Sequence, residues 1–264
     1  MVRSSHSFKS SAGPVLVKRQ TGMAPQQKTC TLVGGVFVLV CVYLVYQMTS
    51  SPPDWFDVCP REDFVLSLTQ HATPDRFIVL ALVDAAFADM AINLYESSLK
   101  PFGIENFLFV GAGRRACEIL NNVSLPCFHY TEDKDTEVPS TYRSPDFIRK
   151  MNIRTDMILD ALSVGFTVLH TDLDVVFLKN PIPDLQEVMA KADIATLWDS
   201  VAYNAGFVVV RPTWFAKKIY KEMKSITGHS VKIDDQTALN SQIGRMNLLY
   251  RFRGFSAVAL NTKR

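Results

Sequence analysis

The chain has 264 residues, 48% of them hydrophobic, and 28 basic against 26 acidic side chains leave a formal charge of +2. That length suits one large domain or two small ones around a buried core, and 20% charged with 11% aromatic residues exclude a disordered chain. The near-neutral balance gives no reason to expect nucleic acid as a partner, and the five cysteines form no CxxC pair of the zinc-binding kind.

The charge is unevenly placed. Residues 1–28 hold Arg3, Lys9, Lys18, Arg19 and Lys28 and no acid, so those five positive charges leave a formal −3 for the rest. No charge then appears from Thr29 to Pro53, and Cys30 to Met48 is apolar almost throughout. About 20 apolar residues span a hydrocarbon core of about 30 Å, and Tyr43 and Tyr46 fall toward one end, where an interfacial ring is stable. The run is longer than the apolar region of a cleaved signal peptide, and it lacks the polar stripe of a buried core helix. The chain therefore reads as a cytosolic basic tail over 1–28, a transmembrane signal anchor over 29–49, a stem over 50–75 and a folded domain over 76–264. Basic residues before the span and Asp54, Asp57, Glu62 and Asp63 after it put the C-terminal bulk in a lumen or outside the cell. On that side Asn122-Val123-Ser124 is a glycosylation sequon. Cys117 and Cys127 could bridge, leaving Cys59 free or intermolecular; three unpaired thiols are the alternative.

Phe77–Leu82 reads as a buried strand, Ala85–Leu99 as a helix stopped by Pro101 and Gly103, and Phe107–Val110 as a second strand. Ser144-Pro145-Asp146 opens a helix with a capping hydroxyl, a proline in the first turn and an acid facing the dipole. That helix should run to Ser163 and end at Gly165. Phe166–His170, Ile194–Trp198 and Phe207–Val210 are further strands. Strands alternating with helices predict an α/β fold with a mainly parallel sheet.

The chemistry concentrates after one of those strands. Thr167 to Asp174 (TVLHTDLD) is an apolar run ending in two acids separated by one residue, so Asp172 and Asp174 point to the same side of an extended chain. Open α/β sheets bind ligands at the carboxyl ends of their strands. Two adjacent carboxylates there repel unless a cation joins them or one takes up a proton, and a hard divalent ion with oxygen ligands meets that need. Downstream, Asn204-Ala205-Gly206 opens a strand with a glycine that permits close backbone approach and an amide that both donates and accepts. Asp234-Asp235-Gln236 stands where a helix should begin, with either acid able to cap it.

Taken in order, GFTVLHTDLDVVFLKNP (165–181), YNAGFVVVRPT (203–213) and DDQTALN (234–240) resemble the nucleotide-diphospho-sugar transferase family. FIVLALVDAAFADMAINLYESSL (77–99) looks like that family's opening strand and helix, and the resemblance covers roughly residues 76–255. It implies a GT-A-like, Rossmann-like, mainly parallel sheet with flanking helices, preceded by one transmembrane helix, in a type II Golgi membrane enzyme. By that resemblance Asp172 and Asp174 hold Mn²⁺ or Mg²⁺ on the diphosphate of a nucleotide-sugar donor. Lys150 or Arg154 neutralises the phosphates, Asn204 and Gly206 border the donor sugar, and Asp235 and Gln236 contact hydroxyls near the reacting carbon as the catalytic pair. The implied reaction transfers the sugar to a glycan or glycoprotein acceptor with retention of configuration.

Two departures accompany the resemblance. Gly111-Ala112-Gly113-Arg114-Arg115 replaces the acid that relatives tend to show after the second strand, and reads as a loop. The sequence stops at Arg264, before the later segment from which relatives often supply a third metal ligand, commonly a histidine, so a short isoform, a fragment or a weakened enzyme is expected. A non-catalytic luminal protein on a transferase-like fold, or a haloacid-dehalogenase-like phosphatase with Asp172 as nucleophile, are the alternatives.

Overall fold

A computed structural model describes residues 60–131, 139–141, 143–228, 232–250 and 254–260. The chain divides into units Met1–Ser51 and Pro52–Arg264, and all of these residues belong to the second. The tail and the expected membrane anchor lie outside them, as do residues 50–59 of the stem. Among the described residues no helix is long and apolar enough to cross a membrane.

The first element corrects the reading of the stem. Glu62–His71 forms helix α1, with Glu62 and Asp63 in its first turn, where the helix dipole favours acids. Phe64 and Leu68, one turn apart, are fully buried in the core. Each such side chain contributes about 1.5–3 kcal/mol by leaving water, so the packed unit begins before residue 76.

Strand β1 (Phe77–Val83) follows, then a 3-10 turn (Ala85–Phe87), helix α2 (Ala88–Leu94) and a π-helical turn (Tyr95–Leu99). What the apolar spacing presents as one helix over 85–99 is therefore three pieces. Pro101 and the left-handed Gly103 (φ 62°) end them. β2 (Phe107–Gly111), α3 (Arg114–Asn122) and β3 (Cys127–His129) come next. The expected loop at 111–115 is thus short, since Arg114 and Arg115 already belong to α3. Helix α4 (Pro145–Ser163) begins at Ser144, whose hydroxyl accepts from Phe147 N at 3.1 Å, and gives way to Gly165 at φ 92°. The remaining elements are β4 (Thr167–Thr171), α5 (Ile182–Met189), β5 (Ile194–Asp199), β6 (Ala202–Val210), α6 (Trp214–Gly228), α7 (Asp235–Tyr250) and β7 (Ala257–Leu260).

The strands make one sheet of order β3-β2-β1-β4-β6-β5-β7. Pairing is parallel except at β6, which runs antiparallel to both β4 and β5. A mixed α/β sheet with flanking helices results. Alternation along the strands sends Ile78, Leu80, Leu108, Val168 and Val208 to one face, against Met157 of α4, Ile219 of α6 and Leu239 of α7. Val79, Phe109, Leu169 and Val209 face the other side, against Leu94, Leu120 and Leu185. From β1 the chain winds outward through β2 to β3, then returns across α4 to place β4 on the other side of β1. That reversal opens a crevice at the carboxyl ends of β1 and β4, the position where sheets of this kind take ligands.

Candidate active site

Asp84 leaves the end of β1 and Asp172 the end of β4, so the crevice is walled by acids from adjacent strands. Each has a cation from α4. Lys150 Nζ lies 2.7 Å from Asp84 Oδ2 with both side chains buried. One turn further along, Arg154 Nη1 lies 2.7 Å from Asp172 Oδ1, and its Nε lies 2.5 Å from Asp235 Oδ2 at the start of α7. The expected phosphate cations are therefore both engaged in ion pairs. Arg154 joins two acids that would otherwise repel, and burying those charges is stabilising only because they are matched. Burial works against the Arg154 charge, but Asp235 and Asp172 keep its pKa above the ordinary value.

His170, fully buried on β4, sits 3.4 Å from Asp172 Oδ1, and burial lowers its pKa, so it is held neutral. Burial would raise the Asp172 carboxyl, yet the His170 hydrogen bond and the Arg154 charge hold it well below the usual range. Asp172 is therefore ionised at neutral pH.

Strand β6 closes the site from the other side. Asp172 N donates to Gly206 O at 2.6 Å. Within β6, Asn204 Oδ1 accepts from Gly206 N at 2.6 Å and from Phe207 N at 3.1 Å. Gln236 Oε1 accepts from Ala205 N at 3.2 Å. Both carboxamide oxygens are thus occupied by backbone, which leaves their amide groups for the cavity they line. Asp234 caps α7 by accepting from Thr237 N at 2.7 Å, whereas Asp235, with Arg154 on one oxygen and Gln236 N 3.0 Å from the other, is an orienting acid.

Two adjoining cavities result. One of about 420 Å³ is bordered by Asp172, Asp174, Arg154, Asn204, Gly206, Asp235 and Gln236. A second, of about 280 Å³, is lined by Asp84 and Lys150 among apolar groups, and shares Leu82, Phe87, Phe147, Met151 and Leu173 with the first. Every residue expected to bind donor, metal or acceptor therefore stands on one continuous surface. Asp84 was not anticipated, although it shares the signal of Asp172, an apolar strand running into an acid.

The residues present suit a hard divalent ion. Asp174 is exposed in the larger cavity with no ion-pair partner among the described residues, and Asp172 keeps Oδ2 clear of Arg154 and His170. No preformed group of three or more His, Cys, Asp or Glu ligands exists among the described residues. The two carboxylates would hold the ion while substrate oxygens and water complete its shell.

Away from the crevice, Asn122 is exposed as the last residue of α3. Cys117 and Cys127 form a disulfide with Cα atoms 5.1 Å apart. A Cβ on Gly111 would come within 2.7 Å of the Cys117 sulfur, so that glycine admits the bridge.

Comparison with known proteins gives the family. A family model described as nucleotide-diphospho-sugar transferase matches residues 103–262. Arabinosyltransferase XEG113 of Arabidopsis thaliana is 29% identical over 214 residues, which are 74% of this chain and 33% of that protein. The chain thus spans about a third of the length of that curated relative. Among solved structures, the galactosyltransferase LgtC in complex with donor and acceptor sugar analogues is 16% identical with a TM-score of 0.45, over 68% of this chain and 72% of that one. The mannosyltransferase PcManGT from Pyrobaculum calidifontis, in complex with GDP-Man and Mn²⁺, is 11% identical with a TM-score of 0.40, over 88% and 65%.

Proposed function

Because the chain belongs to the nucleotide-diphospho-sugar transferase family, a family of glycosyltransferases, we propose that it transfers a sugar from a nucleotide-diphospho-sugar to a glycan or glycoprotein acceptor in the Golgi lumen. The observation that carries this reading is the placement of Asp174, which has no ion-pair partner among the described residues, beside Asp172, whose pKa is lowered, on a cavity at the sheet's reversal point.

The two cavities divide the donor between them. The nucleoside enters the smaller one, where Phe87 and Met151 cover its apolar faces and the Asp84–Lys150 pair presents an acceptor and a donor to its polar edge. The diphosphate lies in the larger cavity beside Asp172 and Asp174, which would hold Mn²⁺ or Mg²⁺ on its oxygens. When bound, that ion supplies Lewis-acid stabilisation of the charge on the departing nucleoside diphosphate. Gly206 lets the sugar approach the backbone, and the amide groups of Asn204 and Gln236 donate to its hydroxyls. The bond from the anomeric carbon to the diphosphate oxygen breaks with its electron pair leaving on the diphosphate. A bond from the acceptor hydroxyl oxygen forms on the same face, and the departing phosphate oxygen takes the acceptor proton. Configuration is retained, and Asp235, tied to Arg154, acts by fixing the arginine rather than as a base.

Membrane anchorage is supported by the apolar run over 30–48 and its basic flank, and a luminal position by the Cys117–Cys127 disulfide and the exposed sequon at Asn122. Trp198, half exposed near the end of β5 and edge-on to Tyr203, offers an acceptor sugar a stacking surface.

The test is turnover of a panel of UDP- and GDP-linked sugars by the full chain in detergent, with Mn²⁺ and with a chelator. Turnover of one donor, abolished by the chelator and by Asp174→Ala with folding intact, is the expected result. A folded protein that neither binds nor consumes any donor would overturn the reading.

A further inference from the structure

Strand β6 reaches beyond its neighbour. Its pairing with β4 ends at Thr171 and Phe207, so residues 203–205 have no strand on that side among the described residues. Helix α7 fills the gap with side chains. Asn240 Oδ1 accepts from Tyr203 N at 2.8 Å while its Nδ2 donates to Tyr203 O, also at 2.8 Å. One turn earlier, Gln236 makes its bond to Ala205 N, and Asn240 Nδ2 also donates to Gln236 O at 2.8 Å. Residues four apart share a helix face, so the two carboxamides act as successive rungs along the strand.

From this geometry we infer that Asn240 is a positioning residue, which locks α7 in register with the free edge of β6 and thereby sets Asp235 and Gln236 over the Asp172–Gly206 contact. The apolar face of α7, through Ala238, Leu239 and Ile243, attaches the helix to the core. Such packing is non-directional and tolerates a slide along the strand or a small rotation. A carboxamide bonded to both the N–H and the C=O of one residue tolerates neither. Displacement of the helix would carry Asp235 away from Arg154, and Arg154 is the group that holds Asp172. Asn240 itself is absent from the cavity wall, so its influence on a bound donor passes through those residues. The kinetic consequence rests on the transferase reading; the structural one does not.

The experiment compares Asn240→Ala, Asn240→Asp and Met246→Ala in the full chain. Met246, two turns along the same helix and buried in the core, controls for lost stability. Hydrogen exchange is measured on peptides spanning 202–206 and 207–210. In Asn240→Ala the first should exchange at least about ten-fold faster with the second unchanged, whereas Asn240→Asp, which keeps the acceptor for Tyr203 N, should retain protection. With the donor that the wild-type chain turns over, Asn240→Ala should lower kcat by about ten-fold or more and leave donor KM within about three-fold. Met246→Ala should leave kcat within about two-fold of wild type. Unchanged exchange over 202–206, or an equal loss of kcat in Met246→Ala, would overturn the inference. If no donor is consumed the transferase reading fails, and the exchange data alone then decide the register.

Discussion

Asp172 stands where a side chain at position 206 would have to be. A Cβ placed on Gly206 would lie 2.1 Å from Asp172 Oδ2, well inside any tolerable contact. The strand carrying the proposed metal ligand and the strand bordering the proposed sugar therefore approach as closely as they do because one residue has no side chain.

Gly206→Ala should for that reason act on the site more than on the fold. The methyl must displace Asp172, costing about 1–3 kcal/mol in stability, and a shift of about 1 Å costs on the order of 100-fold in turnover. Thermal unfolding and donor kcat/KM measured on the same preparation check it. A variant with wild-type turnover would show that Asp172 need not hold its position.

Arg154→Met should be severely destabilising. It leaves Asp235 buried without a cation, and breaking a buried pair costs about 3–5 kcal/mol. Removing the stranded charge as well, in Arg154→Met with Asp235→Asn, should recover part of that loss. Urea unfolding of the two singles and the double gives the coupling directly.

Asp174→Ala should be silent in stability, within about 0.5 kcal/mol, because the carboxylate is exposed and makes no ion pair among the described residues. Binding of Mn²⁺ in the presence of a nucleoside diphosphate should weaken by at least about ten-fold, as read by titration calorimetry. Undiminished binding would remove Asp174 from the ligand set.

A pH effect is expected away from the crevice. Burial raises the pKa of Asp160 above the ordinary carboxylate value of 3.8, although Tyr130 OH donates to it and Lys224 attracts it. A carboxyl raised in the folded state contributes stability that is fully present below about pH 3.8 and lost as pH rises through the folded value. Asp160→Asn keeps an acceptor for Tyr130 and removes that titration. Its melting temperature should vary less than wild type between about pH 4 and pH 7, and at neutral pH should equal or exceed it. Asp156, raised by burial in the same helix, accounts for slope that remains.

The local code of this chain was legible in its residues. Short apolar runs located β1, β2, β4, β5 and the second half of β6, and the capping serine and terminating glycine of α4 set its ends, because those signals act over a turn or two of backbone. Asp172, Asp174, Asn204, Gly206, Asp235 and Gln236 could be named from short strings for the same reason. What Arg154 and Lys150 do could not. Their partners Asp235 and Asp84 lie 81 and 66 residues away, and only the order of strands in the sheet brings them to α4. Nor could the sequence reveal that β6 turns against its neighbours, or that the segment over 62–71 packs into the core. A free carboxylate and a paired one look alike in a sequence. How much of an acid is left for a ligand depends on which cation folding places beside it: among the described residues Asp174 has none, Asp172 keeps one oxygen clear of Arg154, and Asp235 has both oxygens engaged.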